Sequence, residues 1–230
     1  MYFDQPYYLK INEARWAVAD KILDRLPSGI QTCLDAGCGP GWFTDRLIKK
    51  GYTVTGVEGR KELADEAQRR VPNANFEIAD ITSSDAHLAL PVTDLVFCFG
   101  LIYHLENPFA AIRTLFKITG EYLFIETQVA PSDKAHFVLV SEGINETQGL
   151  TYHAVIPTRA ALVKMLYVAG FSSVYRYTGH VNHDDFVDTR ERIHRREIFL
   201  ASKSPIQIND MQLESEPVTS KINYNIEHCI

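Results

Sequence analysis

Three acidic side chains stand where short apolar runs end: Asp35, Glu58 and Asp80. Asp35 opens the run Asp35-Ala36-Gly37-Cys38-Gly39-Pro40-Gly41-Trp42-Phe43, which reads as a strand end, a glycine turn and the start of a helix. A dinucleotide loop spaced GxGxxG aims helix N-terminal amides at phosphate oxygens. Here the spacing is GxGxG, and a carboxylate at the mouth of the turn repels phosphate while attracting an ammonium group, so a nicotinamide-dependent dehydrogenase is disfavoured. Glu58 closes the β-branched run Tyr52-Thr53-Val54-Thr55-Gly56-Val57 and lies 19 positions after Gly39. That is close to the roughly 20-residue offset at which a nucleotide-binding βαβ unit places its ribose acid. One carboxylate accepts from two adjacent hydroxyls. Asp80 ends Asn75-Phe76-Glu77-Ile78-Ala79 and brings a third acid to the same edge of the sheet.

The fourth apolar run, Asp94 to Phe99, continues into Gly100-Leu101-Ile102-Tyr103-His104-Leu105-Glu106-Asn107-Pro108. With the glycine turn, Glu58 and Asp80, this string resembles the class I S-adenosylmethionine-dependent methyltransferase family, over roughly Asp35 to Phe171 and more weakly through Ser202. The resemblance implies S-adenosyl-L-methionine as cofactor, with the turn residues Gly37, Cys38, Gly39, Gly41, Trp42 and Phe43 against it. It assigns Asp35 to the methionine ammonium, Glu58 and Gly59 to the ribose, and Asp80 and Ile81 to the adenine. Phe99 and Gly100 would border the sulfonium. The string after strand four is shared by a branch that includes transfer RNA wobble-uridine-modifying enzymes and many small-molecule methyltransferases.

Methyl transfer from a sulfonium is an in-line displacement, so the protein must align the acceptor and remove its proton where it carries one. Histidine suits that task near neutral pH. His104 is the first candidate base, because its peptide leaves the carboxyl end of strand four, with Tyr103 beside it. His153, next to Tyr152, is the second. O-methylation of a small-molecule hydroxyl or carboxyl is the leading expectation. Methyl or alkyl transfer to a transfer RNA uridine and a non-catalytic S-adenosylmethionine-binding module are the alternatives.

Alternating strand and helix patterns predict an α/β, mostly parallel sheet with helices on both faces, and the resemblance implies a Rossmann-like, seven-stranded sheet closed by a C-terminal antiparallel hairpin. Helical periodicity runs from Glu13 to Leu26, and for the aromatic segment Tyr2 to Tyr8 before it two readings stand: packing against the fold, or, as the resemblance implies, a lid with Tyr7 or Tyr8 over the methionine end. Residues 1–30 are thus read as lid and first helix, 31–203 as the main domain and 204–230 as a polar tail. Inserts at 129–156 and 179–194 exceed the ~2–6 residues usual between α/β elements and are the expected sites of substrate specificity.

The 230 residues are 46% hydrophobic, enough for one sizeable core. A formal net charge of −6 argues against a broad nucleic-acid surface and for a small-molecule acceptor. The local exception, Arg190 to Arg196, reads as solvated surface or as a site for an anionic substrate. Four cysteines without ligand spacing read as reduced thiols, and no metal site is expected. The absence of an ~18-residue apolar stretch and of a leader pattern points to a cytoplasmic protein without a membrane span, as a monomer or homodimer.

Overall fold

The computed structural model describes residues 1–218. Its strands are β1 (Thr32–Ala36), β2 (Thr53–Glu58), β3 (Asn75–Ile78), β4 (Thr93–Phe99), β5 (Thr119–Gln128), β6 (Phe137–Ser141), β7 (His153–Pro157), β8 (Ser173–Tyr177), β9 (Arg196–Ser202) and β10 (Met211–Glu214). The helices are α1 (Pro6–Leu23), α2 (Trp42–Lys49), α3 (Lys61–Arg70), α4 (Ala86–Ala89), α5 (Pro108–Ile118) and α6 (Arg159–Ala169). The main sheet runs β10-β8-β9-β5-β4-β1-β2-β3, parallel from β5 to β3 and antiparallel from β5 to β10.

β4 is buried on both faces, as its near-continuous apolar run requires of a central parallel strand. One face packs Val18, Ile22, Phe43 and Leu47, from α1 and α2, against Leu95, Phe97 and Phe124. The other packs Ile112, Leu115, Leu162 and Leu166, from α5 and α6, against Val96, Leu123 and Phe199. Asn107 caps α5 through its side-chain oxygen, with Pro108 at the first helical position, and Thr158 caps α6 in the same way.

The fold is the expected Rossmann-like α/β sheet with a C-terminal antiparallel hairpin, corrected in one respect: it has eight strands, not seven. The additional strand, β10, pairs antiparallel with β8 and lies inside the segment expected as a polar tail. Its four residues are half exposed and too short for a period to show. It is held by the Tyr167 hydroxyl donating to the Glu214 carbonyl and by Lys21 and Arg25 on Asp210 just before it. The first helix starts at Pro6, not Glu13, and so takes in Tyr7 and Tyr8. The 129–156 insert forms a separate two-stranded sheet, with β6 antiparallel to β7, whereas the 179–194 insert holds a single turn of 3-10 helix at Asp184–Phe186.

Cys33, Cys38 and Cys98 are buried and unbridged, in keeping with reduced core thiols, while Cys229 lies outside the described residues. Among the described residues no helix is long and apolar enough to cross a membrane.

Candidate functional site

A cleft opens beyond the carboxyl ends of β1 to β4, where open α/β sheets bind ligands. Its floor is the glycine turn. The amides of Gly37 and Cys38 donate to the Val57 carbonyl at 2.8 and 3.0 Å, which ties the turn to β2. Gly37 and Gly39 have φ of 72° and 52°, a left-handed conformation that side chains resist. A Cβ on Gly37 would press into Leu101, and one on Gly39 would meet the Phe3 ring at 3.4 Å. The backbone therefore reaches the cleft bare, a cradle that a side chain would fill.

Glu58 spans the turn. One oxygen accepts the Gly39 amide at 3.0 Å and the other the Arg60 amide at 2.9 Å. Burial raises its pKa, against the opposing pull of the Arg60, Gly39 and Gly59 amides. Asp35 is deeper, only 2% exposed, and accepts the Thr44 hydroxyl at 2.6 Å. Burial pushes its carboxyl up to about 7; the Thr44 hydrogen bond works against this and the Glu58 charge adds to it. Asp80 is exposed at the cleft rim, where one oxygen accepts the Thr82 amide and hydroxyl.

Two segments form the opposite wall. From the N-terminal side come Phe3, Tyr8, Asn12 and Arg15; from the 129–156 insert come residues 146–150. Asp4 bound to Arg70, and the Tyr2 amide bound to Glu146, fix the first segment across the cleft.

At the inner end stand Tyr103 and His104, on a 3-10 turn after β4, with ring centroids 4.0 Å apart. Arg196 donates to the Tyr103 hydroxyl at 2.9 Å and to Glu126 at 3.1 Å, and Arg15 contacts the other Glu126 oxygen at 3.0 Å. Burial opposes ionisation of Tyr103, but Arg196, His104 and Arg15 outweigh it and bring the phenol down to about 8. His104 Nδ1 lies 2.5 Å from Glu142 Oε1, while Glu142 Oε2 accepts the Gly149 amide at 2.8 Å.

Of the residues named from sequence, Gly37, Cys38, Gly39, Trp42, Phe43, Glu58, Gly59, Asp80, Ile81, Phe99, Gly100, Tyr103 and His104 line this cleft. Four stand apart from its lining. Asp35 lies behind the turn. Gly41, with φ 85°, starts α2 and packs toward Val71. Tyr7 is 56% exposed and reaches Asp185 at 3.4 Å, so of these two tyrosines it is Tyr8 that lines the cleft. His153 is exposed at the start of β7, its ring against the Thr151 carbonyl. The clustered arginines are largely spoken for: Arg192, Arg195 and Arg196 all contact Asp185.

Sequence reading missed Asn12, Arg15, Glu126 and Glu142; it held Tyr8 as the alternative to Tyr7, and it placed Arg196 in a run read as solvated surface or an anion site. Of those missed, Asn12 and Arg15 carried a local signal, since spacings of four and three put them on one helical face with Tyr8.

Gly149 marks the tightest approach of the insert to the site. A Cβ there would overlap the His104 carbonyl oxygen. Gly149→Ala is therefore expected to cost about 1–3 kcal/mol by overpacking. A lowered thermal midpoint with weakened S-adenosylhomocysteine binding is the expected readout; unchanged values for both would show that the insert sits more loosely.

The model for the methyltransferase-domain family matches residues 10–175. The chain belongs to this family, the class I S-adenosylmethionine-dependent methyltransferases. Trans-aconitate 2-methyltransferase of Rhodopseudomonas palustris is 34% identical over 109 residues, covering 46% of this chain and 41% of the relative. A tRNA U34 carboxymethyltransferase of Haemophilus influenzae is 28% identical over 163 residues, covering 67% of this chain and 50% of the relative. The chain thus spans half or less of the length of these relatives. Among solved structures, the N-terminal domain of EvdMO1 with S-adenosylhomocysteine bound superposes with a TM-score of 0.65 at 22% identity, covering 83% of this chain and 79% of that one. Magnesium protoporphyrin IX methyltransferase from Synechocystis, with S-adenosylmethionine bound, gives 0.54 at 22% identity, covering 84% and 77%. At that identity the likeness is one of fold.

Proposed function

We propose that this chain binds S-adenosylmethionine in the cleft and catalyses methyl transfer to an oxygen of a small-molecule acceptor. The observation that carries the reading is the bare glycine turn with Glu58 spanning it, closed at its inner end by Tyr103 and His104. Bound there, S-adenosylmethionine supplies a methyl group activated on a sulfonium. Glu58 offers its carboxylate to the ribose hydroxyls, and Asp80 and Ile81 take the adenine edge. Asp35, behind the turn, contributes negative charge toward the ammonium end. Phe3 and Tyr8 keep water from the donor. His104 is the base that takes a proton from the acceptor. Asp185 and Glu126 engage Arg192, Arg195 and Arg196 within the fold, which, with the net charge of −6, supports a small acceptor over RNA.

Titration calorimetry with S-adenosylmethionine and S-adenosylhomocysteine tests the binding. Transfer of tritium from methyl-labelled donor tests the activity. One-to-one binding with label passing to a small molecule is expected. Binding without transfer across a broad acceptor panel would instead favour a non-catalytic binding module, and salt-dependent labelling of transfer RNA would favour the nucleic-acid alternative.

Donor affinity should also depend on pH. The Asp35 carboxyl, raised to about 7, gains its charge as pH rises through that value. An ammonium-bearing donor is therefore expected to bind more tightly at pH 8 than at pH 6. Methylthioadenosine, which lacks the ammonium, should show no such rise. Parallel pH curves for the two ligands would remove Asp35 from this role.

A further inference from the structure

We infer that the acceptor presents a hydroxyl, whose proton passes to His104 Nε2, and that Glu142 of the β6–β7 insert is the positioning residue for that histidine. The inference rests on the methyltransferase reading above and narrows it in two ways.

The first concerns the histidine. Its Nδ1 is committed to Glu142 Oε1 at 2.5 Å, which leaves Nε2 as the nitrogen open to the cleft that His104 lines. Glu142 is itself fixed: its side chain is 8% exposed and its second oxygen holds the Gly149 amide at 2.8 Å. The insert is tied to the same turn a second time, by the Val155 amide donating to the Leu105 carbonyl at 3.1 Å. A carboxylate held on one imidazole nitrogen selects the tautomer with its proton there, orients the ring and stabilises the imidazolium once a proton arrives. Every packed element contributes a charged or titratable neighbour. Tyr103 stands beside the ring, Glu142 comes from the insert and Arg196 from β9, with Arg15 of α1 and Glu126 of β5 reached through Tyr103. Burial lowers the imidazole pKa, but Tyr103 and Glu142 outweigh burial and Arg196, so the net direction is upward. Glu142, in turn, is held below the usual carboxylate range by His104 despite its burial.

The second concerns the acceptor. A carboxylic acid is ionised near neutral pH and needs no base, whereas a hydroxyl keeps its proton until a base takes it. An anionic acceptor would also need an unengaged cation. The two guanidinium groups at this end are already occupied, Arg15 by Glu126 and Asn12, Arg196 by Glu126, Asp185 and Tyr103. In the transfer, the acceptor O–H bond breaks and its proton goes to Nε2. The freed oxygen pair forms the new bond to the methyl carbon, and the carbon–sulfur bond breaks with its pair left on sulfur. The imidazolium then releases its proton to water.

The test uses the full chain. Nuclear magnetic resonance titration of isotopically labelled histidine, with S-adenosylhomocysteine bound, should place the His104 midpoint above the ordinary value of about 6.5 in the wild type and below the wild-type midpoint in Glu142→Gln. Glu142→Asp should fall between them. Turnover with methyl-tritiated donor is read on phenols and enols beside the matching carboxylic acids. Label is expected in the hydroxyl compounds, as ethers. The acid limb of kcat/KM should lie at the His104 midpoint and move to lower pH in Glu142→Gln, with kcat reduced about 100-fold or more. Label recovered as methyl esters of the acids, or in none of the hydroxyl compounds, overturns the acceptor assignment. A His104 midpoint and acid limb that stay put in Glu142→Gln, while S-adenosylhomocysteine affinity is retained, overturn the role of Glu142. Failure of the wild type to bind S-adenosylhomocysteine would instead strike the methyltransferase reading itself.

Discussion

Glu58→Gln is expected to weaken S-adenosylhomocysteine binding by about a hundredfold while leaving the thermal midpoint of the free protein nearly unchanged. The carboxylate accepts the Gly39 and Arg60 amides and so holds the glycine turn to the end of β2. A glutamine side chain keeps one acceptor oxygen, but its NH2 group must face the second amide, donor against donor. The ribose hydroxyls lose their charged acceptor as well. Losing the charged acceptor of two ribose hydroxyls is worth about 3 kcal/mol, or roughly a hundredfold in Kd. In the free protein the misdirected donor costs stability, but a neutral side chain also removes the burial that opposes the Glu58 charge, and the two nearly offset. Calorimetry and thermal unfolding on one preparation separate these effects. Affinity within twofold of wild type would show Glu58 to be a structural brace for the turn with no part in binding.

Arg196→Met carries the largest expected loss of stability. Glu126, at 0% exposure, is held from one side by Arg196 and from the other by Arg15. Removing one partner leaves a buried carboxylate half compensated, and breaking a buried pair in this way typically costs about 3–5 kcal/mol. For a domain of this size that corresponds to a fall of roughly 10 °C in thermal midpoint. A second readout is specific to the site. Arg196 donates to the Tyr103 hydroxyl and is the foremost of the groups that bring this phenol down to about 8 against its burial. Ultraviolet difference titration of the wild type should therefore show one tyrosine ionising near pH 8, and the variant should lose it to higher pH. Arg196→Lys keeps the charge without the planar fork and should recover part of the midpoint. A variant as stable as wild type, with the early tyrosine still present, would show that Arg196 bears on neither.

The parts of the site that sequence made visible are those whose partners lie close along the chain or at the ends of apolar runs. The glycine turn and Asp80 follow strands and Glu58 ends one, and strands that alternate with helices deliver their ends to one edge. Glu58 and Gly39 are 19 residues apart within one βαβ unit, and they meet. The inner end of the cleft was harder to see because its contacts are made by folding alone. His104 and Glu142 are 38 residues apart and Tyr103 and Arg196 are 93 apart, with no periodic pattern linking either pair. The 129–156 insert was expected to bring a histidine to the site; it brings the carboxylate of Glu142, and His153 remains at the surface. Arg196 sat in a run that read as solvated surface or an anion site, yet it begins β9 and points into the core. Asn12 and Arg15 were missed for a different reason. Pro6 and the aromatic residues after it read as a packed segment or a lid, when proline at the first helical position was the start signal of α1.

The central claim is that the bare glycine turn and its acids form a site for a sulfonium-bearing adenosyl donor, and side-by-side titration calorimetry with S-adenosylmethionine and NAD addresses it most directly. Saturable one-to-one binding of S-adenosylmethionine, lost in Glu58→Gln, with no heat from NAD is the outcome this account predicts. NAD binding as tightly as S-adenosylmethionine, or no binding of S-adenosylmethionine at all, would contradict it.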